Sequence, residues 1–290
     1  MTPVERSILE TLAYFAQFER ALSGYDLHQY LWDKPVFRSA VDQATNSLIK
    51  RNVIVQQQGL YALSAHSLKV TLGRQRLLEE RRDLALYMAE VLQRIPGIRS
   101  VILQNSTAMQ TLKPQSDIDL LVITDSKTLY STRAAAIINL EIRGLNKRKG
   151  NQAGKACLGY WLTDHLDLQK YQTEQHTAAY WLATMVPLVG LPGYQKLIDA
   201  NRWVKDSLPN WMPHTVAHLP ERPVSSSRIF TSVEPLLYRL SKAKVLRDPE
   251  FKHSHEMVCT PTMLKLHSID KRPSYGHKMQ SILDILYSKS

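Results

Sequence analysis

Two aspartates separated by one residue are the most informative chemical feature of this chain. Asp117 and Asp119 stand at the head of an apolar run, residues 120–123, which is typical of a strand. Side chains two positions apart in a strand project from the same face. Paired carboxylates are ligands that a hard cation such as Mg²⁺ prefers. The spacing therefore predicts a metal site, although a solvated strand start that binds nothing has the same pattern.

Small polar residues accompany the two acids. Ser116 belongs to the turn of residues 113–116 directly before Asp117, and Asn105 and Ser106 lie one short element upstream. The N–H groups and hydroxyls of such turns bind phosphate oxygens, and a metal held by the acids bridges those oxygens. This order predicts binding of a nucleoside triphosphate with Mg²⁺ or Mn²⁺ as cofactor.

This stretch resembles the nucleotidyltransferase domain of the DNA polymerase β-like superfamily, whose signature is a Gly-Ser pair followed at some distance by Asp-x-Asp. Ser106 matches that serine, and residues 116–123 match the second half. The likeness extends over most of the chain to a bacterial group with an N-terminal winged-helix-like segment. The resemblance implies transfer of a nucleoside monophosphate from an NTP to an acceptor such as RNA, a protein or a small molecule. It implies that Asp117 and Asp119 are the catalytic metal ligands and that Asn105, Ser106 and Ser116 contact the nucleotide.

Two departures from the family pattern keep another function open. Asn105 stands where the family has glycine; because asparagine tolerates the left-handed region, we expect the turn to persist. The family also uses a third acid on a later strand, whereas the matching residues 155–162 contain none, and Glu141 and Asp164 lie outside them. The alternative is a catalytically degenerate regulator that binds a nucleotide or nucleic acid. An interaction protein within a larger assembly is a third class.

A basic cluster precedes the strand at residues 155–162. It comprises Arg143, Lys147, Arg148 and Lys149. One interpretation is that the cluster, with Lys149 as our candidate residue, contacts phosphates of a nucleotide or RNA. The other is that Arg143 and Lys147 complement the negative end of the preceding helix.

Composition and charge restrict the class of protein. The chain has 290 residues and a net charge of +11, and residues 201–290 hold 14 Lys/Arg against 8 Asp/Glu. Such a basic region attracts RNA, DNA or a triphosphate, or it serves solubility alone. The chain has no apolar run long enough to span a bilayer and no leader pattern, and Cys157 and Cys259 form no CxxC pair. We expect a cytoplasmic protein without a membrane partner.

The last third of the chain also contains a concentration of metal-ligating residue types. His253, His255, Cys259 and His267 lie close together, but their spacing matches no standard structural zinc site. We interpret residues 265–272, which are rich in Lys and Arg, as a basic segment able to cover the nucleotide site.

Hydrophobic periodicity and turn signals divide the chain into four regions with an α/β fold. Three helical patterns followed by two short strands around Gly59 are typical of a winged helix-turn-helix, which reads DNA or contacts protein. The near-neutral charge of this module favours a structural or protein-contacting role. The regions are a winged-helix-like domain at 1–66, a connecting helix at 67–96, a polymerase β-like core with a small mixed sheet at 97–165, and a helical C-terminal region at 166–290.

Overall fold

The N-terminal residues form the three helices and the two short strands around Gly59 that the sequence predicts, together with a two-residue strand that it does not. The first helix begins with a capping box, because Thr2 accepts the N–H of Glu5 while the Glu5 carboxylate accepts the N–H of Thr2. Three short strands pair antiparallel in the order β1-β3-β2. The elements are α1 (Pro3–Ala16), β1 (Leu22–Ser23), α2 (Gly24–Gln29), α3 (Arg38–Lys50), β2 (Val55–Gln57) and β3 (Leu60–Ala62).

The apolar run after the two aspartates forms the central strand of a larger, mixed sheet. A long helix, α4 (Ala65–Leu92), leads into this sheet. β5 (Ile118–Thr124) is buried along its entire length, as expected of a strand covered on both faces. It pairs antiparallel with β4 (Ile98–Leu103) and parallel with β6 (Ala156–Leu162). Apolar runs at residues 98–103, 120–124 and 156–162 predict strands, and all three are strands in the structure.

The C-terminal region, expected to be helical, also contributes strands to this sheet. Among the described residues the strand order is β7-β4-β5-β6-β9-β8, with β7 at Val186–Val189, β8 at Val258–Cys259 and β9 at Met263–Lys265. Apolar residues at helical spacing predict a helix over residues 173–187, but the helix ends at Ala183. Pro187 is tolerated in β7 because this strand lies at the edge of the sheet.

Helices cover both faces of the larger sheet. On each face, a hydrophobic core lies between the sheet and its helices. Leu121 and Ile123 face one core and Leu120 and Val122 the other. Within the described ranges, every helix is too short or too polar to cross a membrane. The remaining helices are α5 (Asn105–Ala108), α6 (Leu129–Ile142), α7 (Gln175–Ala183), α8 (Leu191–Asp199), α9 (Val204–Ser207), α10 (Arg228–Arg247) and α11 (Arg272–Tyr287).

The N-terminal module shares the first of these cores with the C-terminal helices. Tyr180 of α7 is fully buried, and its ring centroid lies 4.4 Å from that of Tyr14 and 5.0 Å from that of Phe15. The Tyr180 hydroxyl donates to the carbonyl oxygen of Tyr30 at 3.1 Å. Residues 1–66 therefore share a hydrophobic core with the C-terminal helices.

This computed structural model places most of the chain, and several predicted residues fall outside the described part. They are Lys149, the candidate phosphate ligand, together with Asp164 and the histidines at 253, 255 and 267. The described residues are 1–148, 150–163, 165–169, 174–221, 223, 225, 227–249, 257–266 and 271–288.

Candidate metal centre

Three polar side chains lie in a row across the larger sheet because of the register between its strands. Asp119 of β5 lies opposite Cys157 of β6. On the other side, the main-chain N–H of Gln104, the residue after β4, donates to the carbonyl oxygen of Asp119 at 3.0 Å. Residues directly opposite each other on paired strands share a face. Gln104, Asp119 and Cys157 therefore lie on one face, with Asp117 two positions before Asp119.

Asp117, Asp119 and Cys157 form a cluster that could hold a metal ion. Each offers one ligand atom, and these three atoms all lie within 4.8 Å of one another. The two-residue spacing predicted that the carboxylates would be close together. Sequence reasoning missed the thiol, because the match of Asp119 to Cys157 depends on the register between two strands that are distant in the chain.

The environment of Cys157 holds its thiol neutral in the absence of a metal. Burial and the negative charge of Asp119 raise the pKa of this thiol, and the positive charge of Lys147 opposes them only in part. A protonated thiol is a weak ligand for a hard ion, whereas softer cations displace the proton and bind the sulfur. The carboxylates thus suit a hard ion such as Mg²⁺ or Mn²⁺, whereas the thiol is a ligand for a softer ion such as Zn²⁺.

Lys147 extends from the loop after α6 into this cluster. Its Nζ lies 2.5 Å from Oδ2 of Asp117. Burial favours the neutral amine, but the hydrogen bond with Asp117 and the charges of Asp117 and Asp119 outweigh it and raise the pKa of Lys147. The amine is therefore a cation at neutral pH. It neutralises part of the cluster's charge and competes with a metal for Asp117.

The other described members of the basic cluster stay near α6. Arg143 donates to the carbonyl oxygen of Asn139 at 3.0 Å, which agrees with a cation that complements the end of this helix. Arg148 forms an ion pair with Glu141. Because Glu141 pairs with Arg148 outside the metal cluster, it does not replace the missing third acid.

Asn105 adopts the conformation that glycine would adopt at its position. Its φ is 54°, in the left-handed region that asparagine tolerates better than most residues. Asn105 and Ser106 form the first turn of α5, and the carbonyl oxygen of Ser106 accepts the N–H of Thr111 at 2.8 Å. The predicted turn is thus present despite the missing glycine.

Ser116 stabilises the turn that precedes Asp117 and Asp119. Its hydroxyl oxygen accepts the N–H of Lys113 at 2.9 Å, and its own N–H donates to the carbonyl oxygen of Lys113 at 2.9 Å. These two N–H groups are therefore used inside the turn, contrary to the expectation that they would bind phosphate. The proton of the Ser116 hydroxyl remains able to donate to a ligand.

The cluster opens into a cavity of about 660 Å³ between the sheet and helices α1, α7 and α11. All predicted site residues that the structure describes line it: Asn105, Ser106, Ser116, Asp117 and Asp119. Lys265, which we expected in a covering segment, is a buried residue of β9. The lining includes two carboxylates against five lysines, so the cavity favours an anionic ligand. These lysines are Lys113, Lys147, Lys265, Lys271 and Lys278.

Comparisons of the chain with protein-family models, with curated proteins and with solved structures found no significant match. The geometry of the cavity is therefore the basis for a functional conclusion.

Proposed function

We propose that this protein is a metal-dependent nucleotidyltransferase that moves a nucleoside monophosphate from an NTP to an acceptor, with a polymerase β-like core. The observation that supports it is the position of Asp117 and Asp119 on the central strand, beside the Asn105-Ser106 turn and inside a lysine-rich cavity. This combination offers a cation site next to an anion site, which is what a metal–triphosphate complex requires.

Each part of the site has a role in this proposal. Asp117 and Asp119 hold the cation, which when bound neutralises the phosphate charge and supports displacement at the α-phosphorus. The Ser106 hydroxyl donates to a phosphate oxygen, and the five lysines attract the triphosphate and stabilise the pyrophosphate that leaves. Such transfers depend mainly on positioning and electrostatic stabilisation, so few reacting side chains are needed.

We propose further that residues 1–66 are a winged-helix-like module that closes the cavity instead of reading DNA. α1 and the two residues that follow it supply Tyr14, Gln17 and Phe18 to the cavity wall. The exposed face of α3 would read bases in such a module. Ser47 of this helix and Arg51, the residue after it, donate to the Glu5 carboxylate at 2.9 and 2.7 Å. Two of the side chains suited to base contacts are thus engaged within the fold.

A second function, nucleotide or nucleic-acid binding without transfer, is favoured by a different observation. Cys157 occupies the position on β6 beside Asp119, so the described cluster contains a thiol instead of a third carboxylate. A third carboxylate is the group that would accept a proton from an acceptor hydroxyl. The basic C-terminal region provides a surface for RNA or DNA in this alternative.

A transfer assay tests the proposal and separates the two functions. Purified protein is incubated with each α-³²P-labelled NTP, with Mg²⁺ or Mn²⁺, and with or without total RNA and cell lysate. Asp117→Asn and Asp119→Asn are compared with the matched control Asp125→Asn, which changes an acid that pairs with Arg99 just after β5. Separation of the products by size identifies the acceptor class.

The proposal predicts label on RNA, protein or a small molecule with the wild type and with Asp125→Asn only. Label that persists in Asp119→Asn contradicts the assignment of the metal ligands. NTP binding without any labelled product favours the second function.

A further inference from the structure

The cavity has an uncharged part besides its metal cluster and lysines. The side-chain amides of Gln17 and Gln104 line the cavity, their nitrogen and oxygen atoms are buried, and among the described residues neither amide has a hydrogen-bond partner. Gln104 is only 1% exposed, and the strand register places it beside Asp119. Buried amides without partners are uncommon, because each has given up its hydrogen bonds to water. These two point to a ligand that carries both donors and acceptors.

Aromatic side chains accompany the amides. Phe18 follows Gln17 at the end of α1, and its ring centroid lies 4.9 Å from that of Tyr275. Trp181 and Trp203 also line the cavity, and all four of these rings are partly exposed. Partly exposed aromatic faces are stacking surfaces for nucleobases. Rings for stacking together with amides for edge contacts are the chemistry that binds a base.

The uncharged nature of these groups restricts which base fits. Among the described lining residues the carboxylates are Asp117 and Asp119, and both belong to the metal cluster. The neighbouring N–H donors of guanine are best accepted by a carboxylate, and none is left for them in this part of the cavity. A glutamine amide instead pairs with adenine through two hydrogen bonds, accepting from N6 and donating to N7.

Tyr14 adds a neutral group to the same wall. Burial raises the pKa of its phenol, and the Thr177 hydroxyl beside it opposes that shift only in part. The phenol therefore keeps its proton at neutral pH and can donate a hydrogen bond as well as accept one.

We propose that Gln17 and Gln104 recognise the base of the bound nucleotide and that this base is adenine. The inference rests on the proposed function, because the cation and the lysines are taken to hold the triphosphate of the same molecule. The N6/N7 edge of adenine would pair with one amide and the N6/N1 edge with the other, and the partly exposed rings would stack on its faces.

Calorimetric titration in the presence of Mn²⁺ tests the inference without any turnover. The titrants are the α,β-methylene triphosphates of adenosine, guanosine, cytidine and uridine, which cannot transfer a nucleoside monophosphate, and inorganic tripolyphosphate. Gln17→Met and Gln104→Met remove the amides at similar side-chain length. Gln115→Met, in the exposed turn before Asp117, is the matched control. Gln104→Asn, which keeps a neutral amide but is one methylene shorter, provides a second variant if Gln104→Met does not fold.

The inference predicts that the wild type binds the adenosine compound most tightly and that each amide variant weakens this binding by about tenfold. Tripolyphosphate binding stays unchanged in the variants, and Gln115→Met behaves as the wild type. Preference for another base, or adenosine binding unaffected by both substitutions, overturns the inference while leaving the proposed function intact. Loss of tripolyphosphate binding together with adenosine binding shows that the amides are structural and also overturns it. If the wild type binds no triphosphate at all, the proposed function is wrong, and the inference about the base is wrong with it.

Discussion

At the scale of single residues, the cluster combines two carboxylates with a thiol and a lysine. Asp119 is buried beside Cys157, and Asp117 is paired with Lys147. The pKa of Lys147 is raised by its hydrogen bond with Asp117 and by the surrounding negative charge, in spite of burial. A cation that binds Asp117 competes with this ammonium group, so under the proposed function we expect a preference for ligands that bring both a metal and phosphate oxygens for Lys147.

The thiol is expected to influence which metal the cluster prefers. Replacing Cys157 by Asp provides a third hard ligand, so we expect the affinity for Mg²⁺ to rise relative to the affinity for Zn²⁺ by about tenfold, which corresponds to about 1.4 kcal/mol. Binding titrations with each metal measure the ratio of the two affinities. Cys259→Ser serves as the control, since Cys259 lies on β8, outside the metal cluster. An unchanged ratio in Cys157→Asp would show that this position does not contact the metal.

Asn105 is a position where backbone conformation restricts the side chain. At its φ of 54°, alanine is strained by about 1 kcal/mol, whereas glycine adopts the same conformation without strain. We expect Asn105→Ala to lower the free energy of unfolding by about that amount and Asn105→Gly to stay close to the wild type. Urea unfolding measures both. Equal stability of the two variants would indicate that the turn can relax away from the left-handed region.

At the scale of elements, α7 positions part of the cavity wall and depends on a charged N-cap. The Glu174 carboxylate accepts the N–H groups of His176 and Thr177 at 3.1 and 2.6 Å. Burial alone would raise the pKa of Glu174, but the hydrogen bonds from His176 and Thr177 lower it to about 2. Thr177 and Trp181, which line the cavity, follow directly from this cap.

The depressed pKa of Glu174 makes a pH-dependent contribution to stability. Because the folded pKa lies below the unfolded value of 4.5, the contribution is complete above pH 4.5 and is lost as the pH falls toward about 2. We expect Glu174→Gln to reduce the free energy of unfolding by ~1 kcal/mol at pH 7 and by progressively less in acid. Urea titrations between pH 2 and 7 measure the difference. Glu80→Gln, an exposed i,i+4 pair with Arg76, is the control; a difference for Glu174→Gln that is independent of pH would contradict this account.

The elements that carry the two acids were predictable, and some of their neighbours were not. The apolar runs of β4, β5 and β6 and the Pro96-Gly97 boundary are local signals. By contrast, β7 has an apolar sequence that also fits the end of a helix, and only its pairing with β4 selects the strand. Cys157 and Gln104 belong to the site because of the register between paired strands, and no local sequence pattern encodes that register.

At the scale of the whole molecule, one core links regions that the sequence separates. Tyr180 of α7 packs against Tyr14, Phe15 and Tyr30 of the N-terminal module. The cavity wall is likewise built from regions that are distant in the sequence, since α1, the larger sheet and α11 all contribute to it. Turn signals and composition predicted a boundary near residue 66, but they contain no information on this long-range packing.

This shared core predicts cooperative unfolding. Removing the buried ring of Tyr180 with Tyr180→Ala should lower the free energy of unfolding by about 3–5 kcal/mol. Hydrogen exchange should show residues 1–66 and the larger sheet losing protection together. Tyr25→Ala, at a side chain that is 56% exposed, should change stability by less than about 0.5 kcal/mol. If residues 1–66 keep their protection in Tyr180→Ala, the module is energetically independent.

Mn²⁺ binding followed by electron paramagnetic resonance tests whether Asp117 and Asp119 hold a divalent cation within the cavity. We predict that the wild type binds Mn²⁺ at this site and that a non-transferable triphosphate tightens the binding. Asp119→Asn should weaken Mn²⁺ binding at least about tenfold, while Asp125→Asn retains it. Equal Mn²⁺ binding by the wild type and Asp119→Asn would contradict the assignment of the metal ligands.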